Sequence, residues 1–169
     1  NMKNITIILC LLIYLPINAQ TENNSGCTNV YLIRHAEKER ADNTNSNPHL
    51  NSLGIKRSLK WKNFFKNIDF DIIYSTNYHR TLETIKPFSD NGTELVIYHP
   101  SKIDYDKFIS NNKGKTVLVV GHSNTIPTFT NNILNKNIYT NIEDNNNSNL
   151  YVVNICDEIG TRNFLYFVE

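Results

Sequence analysis

Short apolar segments of strand type alternate along this chain with segments of helical period, and this alternation constrains the fold more than any other feature. Continuous apolar runs rich in Val, Ile and Tyr are typical of strands buried on both faces. The predicted strands are residues 29–34, 71–75, 94–98 and 116–121, and the predicted helices are residues 52–65, 80–88, 104–111 and 124–134. The pattern predicts an α/β fold, a three-layer αβα sandwich with a mostly parallel central sheet.

Two further segments close the sheet. Residues 150–155 and 163–168, joined by a turn around Gly160, are typical of a C-terminal antiparallel hairpin. In the first predicted helix, Asn51 is a candidate N-cap. The apolar residues of that helix lie among lysines at broadly helical spacing and are Leu53, Leu59, Trp61, Phe64 and Phe65.

Length and charge indicate one globular domain without a nucleic-acid partner. A chain of 169 residues is long enough for a single core. The net charge of +1 gives no field that would attract nucleic acid or an anionic membrane. An anionic ligand must therefore be held by a local cluster of charges.

The N-terminus has the pattern of a secretory signal. Lys3 precedes an apolar stretch over residues 5–17, and Ala19 offers a cleavage position. We expect residues 1–19 to be a signal peptide, residues 20–28 a short polar segment and residues 29–169 the folded domain. The protein would then be periplasmic or extracellular with no stable membrane anchor after cleavage. A retained N-terminal anchor is the alternative.

Export also bears on the cysteines. Cys10 lies within the predicted signal, which leaves Cys27 and Cys156 as an even pair in an oxidising compartment. They could form one disulfide.

Unusual polar residues follow three of the predicted strands. Arg34 and His35 end the first strand, Arg80 opens the helix after the second, and His122 follows the most apolar strand. Ligands of open α/β sheets bind outside the carboxyl ends of the strands. If the sheet is parallel, these four residues converge.

The chemistry of this set suits phosphoryl transfer. Two guanidinium groups can hold a phosphate by charge-assisted hydrogen bonds, and an imidazole can attack phosphorus. Because the transition state spreads negative charge over the equatorial oxygens, fixed Arg and His donors can stabilise it without a metal or other cofactor. Backbone N–H groups at the start of the helix after His122 would add donors.

Three motifs resemble the signatures of a known family. Residues 34–38 (RHAEK), 75–84 (STNYHRTLET) and 121–125 (GHSNT) are similar, in order and position, to those of the histidine phosphatase superfamily, phosphoglycerate mutase-like branch. The short chain without inserted lid subdomains is most similar to small phosphohistidine phosphatase-like members. The resemblance covers almost all of the expected mature chain.

The resemblance implies a role for each site residue. His35 would be the nucleophile that becomes phosphohistidine, Arg34 and Arg80 would clamp the phosphate, and His122 would contact the transferring oxygens. No metal is implied.

The resemblance also implies a strand order. The first strand would lie between the fourth and the penultimate strand, antiparallel to the latter, which brings Cys27 near Cys156. A Cys27–Cys156 disulfide thus becomes a specific prediction. Family members usually have Gly where Ala36 stands, a change that is tolerated if the backbone there is not at positive φ.

The general acid is unassigned. Mutase members of the family carry a glutamate after strand three, and residues 98–100, Asp104 and Asp106 give no clear match. Glu37 is a weak candidate, since a carboxylate beside Lys38 is more often a solvated ion pair.

Three other histidines, His49, His79 and His99, are better explained as loop or surface residues, although His79 adjoins Arg80 and His99 follows a strand. Substrate specificity would lie in the polar loops 38–50 and 140–149.

The favoured function is a metal-independent phosphatase acting on a phosphomonoester or phosphoramidate, carried by a phosphorylated small molecule or phosphopeptide. The alternatives are a phospholigand-binding module without turnover, a phosphomutase, and a metallohydrolase with His35, His122 and Glu37 as ligands.

Overall fold

A computed structural model describes residues 26–88 and 92–169 of the chain. The predicted signal peptide, residues 1–19, and most of the polar segment 20–28 lie outside the described residues. Within these residues, no helix is both long and apolar enough to span a membrane.

Six strands form one mixed sheet in the order β3-β2-β4-β1-β5-β6. Strands β1 to β4 are parallel neighbours, whereas β5 runs antiparallel to β1 and pairs with β6 as a hairpin. The strands are β1 (Thr28–Arg34), β2 (Ile72–Ser75), β3 (Glu94–Ile97), β4 (Thr116–Gly121), β5 (Asn149–Cys156) and β6 (Gly160–Phe167). The α/β class, the mostly parallel sheet and the antiparallel C-terminal hairpin are as predicted.

Helices cover both faces of the sheet, which gives three layers. They are α1 (Ser52–Phe64), α2 (His79–Ile85), α3 (Tyr105–Asn111) and α4 (Thr125–Leu134), with short 3-10 turns at Lys86–Phe88 and Pro100–Lys102. Trp61 and Ile85 of the first two helices pack on one face of the sheet, and Phe108 and Phe129 of the last two pack on the other. Helix α2 is shorter than predicted because Pro87 has no backbone N–H to continue it.

Of the apolar residues predicted for the first helix, Trp61 and Phe65 are buried and the other three are not. The buried residues within α1 are Gly54, Ser58 and Trp61, whereas Leu53, Leu59 and Phe64 are exposed. The helix lies so close to the segment after β1 that a Cβ at position 54 would overlap the carbonyl oxygen of Glu37. Position 54 therefore requires glycine.

The predicted N-cap of α1 is confirmed. Asn51 Oδ1 accepts hydrogen bonds from the backbone N–H of Leu53 at 3.0 Å and of Gly54 at 2.9 Å. These two bonds satisfy N–H groups that a helix start otherwise leaves unpaired. The cap fixes the start of α1 beside the loop that leads from the site.

A disulfide joins Cys27 to Cys156, as predicted, with a Cα–Cα distance of 4.3 Å. Cys27 directly precedes β1 and Cys156 ends β5, so the antiparallel pairing of these strands brings the two residues together. The bond closes the edge of the sheet opposite the carboxyl end of β1.

Candidate functional site

A cleft of about 780 Å³ lies at the carboxyl ends of the parallel strands. Arg34, His35, Arg80 and His122 all line it. Because β1, β2 and β4 are adjacent and parallel, the segments that follow them meet at this edge. The predicted convergence of these four residues is confirmed as a matter of geometry.

The imidazole of His35 is buried and held by its own backbone. His35 is only 3% exposed, and its Nδ1 lies 2.7 Å from the carbonyl oxygen of Ala36. A carbonyl can only accept, so Nδ1 carries the proton and donates it, which leaves Nε2 with a lone pair. The backbone of His35 is anchored by N–H donation to Gly121 O at 2.9 Å and by acceptance from Asn147 Nδ2 at 2.7 Å.

The electrostatic surroundings keep this ring neutral. Burial, reinforced by repulsion from His122, Arg34 and Arg80, lowers the pKa of His35 to about 3 despite the bond to Ala36. An unprotonated imidazole is the form that can attack an electrophile. The site thus holds His35 in its nucleophilic form at neutral pH.

His122 lies beside His35, with 5.5 Å between the ring centroids. Its Nδ1 lies 3.4 Å from Arg80 Nη2 and its Nε2 lies 3.0 Å from Thr76 Oγ1. Arginine can only donate, so the His122 Nδ1 accepts and Nε2 carries the proton. Burial, followed by repulsion from Arg80 and Arg34, lowers the pKa of His122 to about 4.

Arg80 enters the cleft from the start of α2. Its guanidinium carbon lies 4.3 Å from the centroid of the Tyr78 ring, and Nη1 donates to Ser46 O at 3.4 Å. Its buried Nε–H has no hydrogen-bond partner among the residues that the structure describes. The guanidinium therefore retains a donor for a ligand.

Arg34 is tied to the loop before β5. Its Nη1 donates to the carbonyl oxygens of Glu143 at 2.9 Å, Asp144 at 3.1 Å and Asn146 at 2.8 Å. Its Nη2 donates to Asp144 Oδ1 at 3.1 Å. The Arg34 Nε–H, like that of Arg80, is buried and without a partner in the described part of the chain. Arg34 thus both organises the loop and faces the site.

Asp144 joins the two loops that were expected to set specificity. Its carboxylate accepts from Arg40 Nη1 at 2.7 Å as well as from Arg34. Hydrogen bonds from Arg40 and Arg34 lower the pKa of Asp144, so that it is an anion at the rim of a cationic cleft. Neither Asp144 nor Arg40 was predicted as a site residue, since an acid within an asparagine-rich run gives no signal of its position.

The opposite wall of the cleft follows β3 and was missed by the motif analysis. Ile97, Tyr98, His99, Pro100 and Ser101 line it, so that His99, expected at the surface, lies at the rim. Tyr98 packs closely over the strand end, because a Cβ at Gly121 would lie 2.8 Å from its Oη. The rings of Tyr98 and Pro100 on this wall give the cleft an apolar surface besides the polar loops from which specificity was predicted.

Glu37, the weak candidate for the acid, points elsewhere. Its Oε1 accepts from Arg57 Nε at 2.7 Å, and Glu37 is not among the cleft-lining residues of the described chain. His35, His122 and Glu37 do not form a group that could share an ion within that part of the chain.

Ala36 takes no positive φ, so the departure from glycine causes no backbone strain. Its N–H donates to Thr84 Oγ1 at 2.8 Å. This bond ties the residue after His35 to helix α2.

The fold and the cleft define a class of protein: an α/β domain with paired histidines and arginines at the carboxyl edge of its sheet. Residues 30–101 match the sequence model of the histidine phosphatase superfamily (branch 1). This segment contains Arg34, His35 and Arg80. Over these residues the chain is similar to the histidine phosphatase superfamily.

Solved structures share the fold over most of their length. SixA from Agrobacterium tumefaciens has a TM-score of 0.60 at 18% identity, covering 82% of this chain and 97% of its own. A phosphoserine phosphatase from Entamoeba histolytica, solved with phosphoserine, has a TM-score of 0.59 at 19% identity over 83% and 96%. The protein histidine phosphatase SixA complexed with tungstate has a TM-score of 0.63 at 13% identity over 82% and 96%. No curated protein matches the chain.

Proposed function

We propose that this protein is a phosphatase that cleaves a phosphomonoester or phosphoramidate through a phosphohistidine on His35. Phosphatase activity in general is supported by the superfamily and by the activities of the proteins that share the fold. We propose the route through His35, and the roles of the other site residues, from the geometry of the cleft.

One observation carries the proposal. Buried Arg34 and half-buried Arg80 line the cleft, and each has a buried Nε–H that no described residue satisfies. Beside them lies a neutral imidazole whose Nδ1 proton is already bonded to Ala36 O. A buried donor without a partner costs about 1 to 3 kcal/mol. A bound phosphate would satisfy both donors and present phosphorus to His35 Nε2.

The reaction then has two displacements. Nε2 of His35 attacks phosphorus, the bond to the leaving oxygen or nitrogen breaks, and the leaving group takes up a proton from solvent water. Water next attacks the phosphohistidine, the P–N bond breaks, and inorganic phosphate is released. Arg34, Arg80 and His122 would stabilise the charge on the phosphoryl oxygens in both steps.

No metal is required in this scheme, because the positive charge that phosphoryl transfer needs is supplied by the two guanidinium groups. A transition state of this kind is stabilised mainly by fixed charges and positioning.

The second candidate is a phospholigand-binding module. Glu37 is engaged by Arg57, and Asp144 is held as an anion by two arginines, so neither is set to protonate a leaving group. A substrate with a poor leaving group would then bind without cleavage. A phosphomutase is less suited, since rim residues His99, Asn124 and Asp144 are exposed and leave water access to the phosphoenzyme.

We further propose that the protein acts outside the cytoplasm on a phosphorylated small molecule or phosphopeptide. The proposal rests on the signal-like residues 1–19 and on the Cys27–Cys156 disulfide, a bond that persists in oxidising compartments.

The experiment is hydrolysis of para-nitrophenyl phosphate, which has a good leaving group, and of a phosphorylated alcohol, which has a poor one. Arg80→Ala should lower kcat/KM about 100-fold, as expected for removal of one charged donor to the transition state. Arg162→Ala, a matched change at an exposed position of β6, should leave it unchanged.

Cleavage of both substrates would support the phosphatase. Cleavage of neither, with phosphate binding retained, would contradict it in favour of the binding module.

A further inference from the structure

We propose that His49, His79 and Glu83 form a binding site for a zinc-class transition-metal ion on the rim of the molecule, separate from the cleft that holds His35. The proposal does not depend on the phosphatase mechanism. These residues play no part in the scheme given above.

The three side chains already bring their donor atoms together. One ligand atom from each residue lies within 4.8 Å of the other two. His49 Nδ1 lies 2.5 Å from Glu83 Oε1, and the rings of His49 and His79 stack with centroids 4.1 Å apart. Two imidazoles and one carboxylate are a ligand set that Zn²⁺ takes in proteins, with a fourth position left for water.

Local structure fixes two of the ligands on one surface. His79 and Glu83 are four residues apart on α2, so they project from the same face of the helix. His49 comes from the loop before α1 and reaches across to them. A modest rotation of the stacked rings would direct all three donors at one ion.

Second contacts hold this arrangement in place. The N–H of Leu50 donates to Glu83 Oε2 at 2.8 Å, which leaves Oε1 for the histidine or an ion. Asn47 Oδ1 accepts a hydrogen bond from the backbone N–H of His79 at 2.9 Å. The bond from Leu50 orients the Glu83 carboxylate, as partners of ligating carboxylates do, and the bond to Asn47 ties the loop to the start of α2.

Charge at the cluster favours a cation. Glu83 supplies a carboxylate, the anionic member of the ligand set. Arg80, the neighbour of His79, directs its Nη2 to His122 in the cleft. The side chain of His49 is 63% exposed, so an ion can enter from solvent.

The ion would pin the loop before α1 to the start of α2. Ser46 of that loop accepts a hydrogen bond from Arg80, so the pinned segment borders the phosphate site. Because the ion binds the folded chain, it would raise the melting temperature by mass action.

The test is titration of the purified protein with Zn²⁺ by calorimetry and with Co²⁺ by visible absorption, which reports tetrahedral coordination. We expect one ion per chain. His49→Ala and Glu83→Gln should each weaken binding at least about 10-fold and reduce the zinc-dependent rise in melting temperature. His99→Ala removes a different exposed histidine and should change neither.

Glu83→Gln retains an oxygen acceptor for Leu50, so it tests the ligand without breaking that bond. The proposal is overturned if wild-type protein binds no Zn²⁺, or if His49→Ala and Glu83→Gln bind as wild type does. Binding lost in His122→Ala but retained in those two variants would likewise overturn it, by placing the ion in the cleft.

Discussion

Burial decides the protonation state of the two histidines in the cleft. His35 and His122 have pKa values lowered to about 3 and about 4, against 6.5 for an exposed imidazole. The folded chain therefore binds fewer protons than the unfolded chain between these values. Stability must rise with pH over this interval and fall as the solution is acidified.

For His35, the free energy of unfolding should fall by about 1.4 kcal/mol per pH unit well below pH 6.5, until the pH approaches the folded pKa of about 3. Urea unfolding at several pH values between 7 and 4 measures this slope. The slope should be smaller in His35→Asn, which has no titratable ring. An equal slope in both proteins would show that His35 is not held neutral by the fold.

Asp144 is the residue that most directly opposes an anionic ligand. Asp144→Asn should lower the inhibition constant of inorganic phosphate, because it frees Arg34 and Arg40 from a competing carboxylate. The side chain is 75% exposed, so solvent screens it and the gain should not exceed about fivefold.

The effect of Asp144→Asn should shrink at high salt, since the interaction is largely exposed. Asp157→Asn, at an exposed position between β5 and β6, is the matched control. Weaker phosphate binding by Asp144→Asn would indicate that Asp144 orders the site instead of opposing the ligand.

At the scale of elements, the contact between α1 and the segment after His35 depends on Gly54. Gly54→Ala should destabilise the protein by about 1 to 3 kcal/mol, because the added methyl group forces α1 away from Glu37. Helix propensity alone predicts the opposite sign, a gain of about 1 kcal/mol. Thermal unfolding distinguishes the two, with Lys60→Ala on the exposed side of α1 as control.

Much of the element order could be predicted from the sequence because the strands are continuous apolar runs. The apolar runs at β1, β2 and β4 show where each strand ends. The residues that follow these ends could therefore be predicted to meet at one edge of the sheet, where Arg34, His35, Arg80 and His122 lie. The pairing order of the strands came from the family resemblance and not from periodicity.

The small residues that α1 buries could not be predicted in this way, although buried Trp61 belongs to the predicted apolar set. Leu53, Leu59 and Phe64 have the composition of a core face, whereas the residues that face the sheet include Gly54 and Ser58. The absence of a side chain at Gly54 reflects a backbone contact with Glu37, which no local pattern reports. Asp144 could not be predicted from local sequence either, because its partners Arg34 and Arg40 lie more than a hundred residues earlier.

At the scale of the whole molecule, the disulfide and the cleft lie at opposite ends of β1. Cys27 precedes the strand and His35 follows it, a span of roughly 25 Å at the usual rise per residue. The disulfide joins residues that are 129 apart in the sequence, so it strongly lowers the conformational entropy of the unfolded chain.

Replacing both cysteines with serine should lower the free energy of unfolding by about 2 to 5 kcal/mol and leave kcat/KM unchanged where the protein remains folded. Guanidinium unfolding and phosphate release measure the two quantities. Reductant should affect the wild-type protein in the same way and the double variant not at all. A large loss of activity in the folded variant would mean that the two ends of the sheet are coupled.

Transfer of a phosphoryl group to His35 is the step on which the proposed function depends. The direct measurement is rapid acid-free quenching of the enzyme with ³²P-labelled substrate, followed by mapping of the labelled peptide. We expect an acid-labile, alkali-stable label on the peptide that contains His35, absent from His35→Ala and present in Arg162→Ala. Turnover without such a label, or a label on His122, would contradict the proposal.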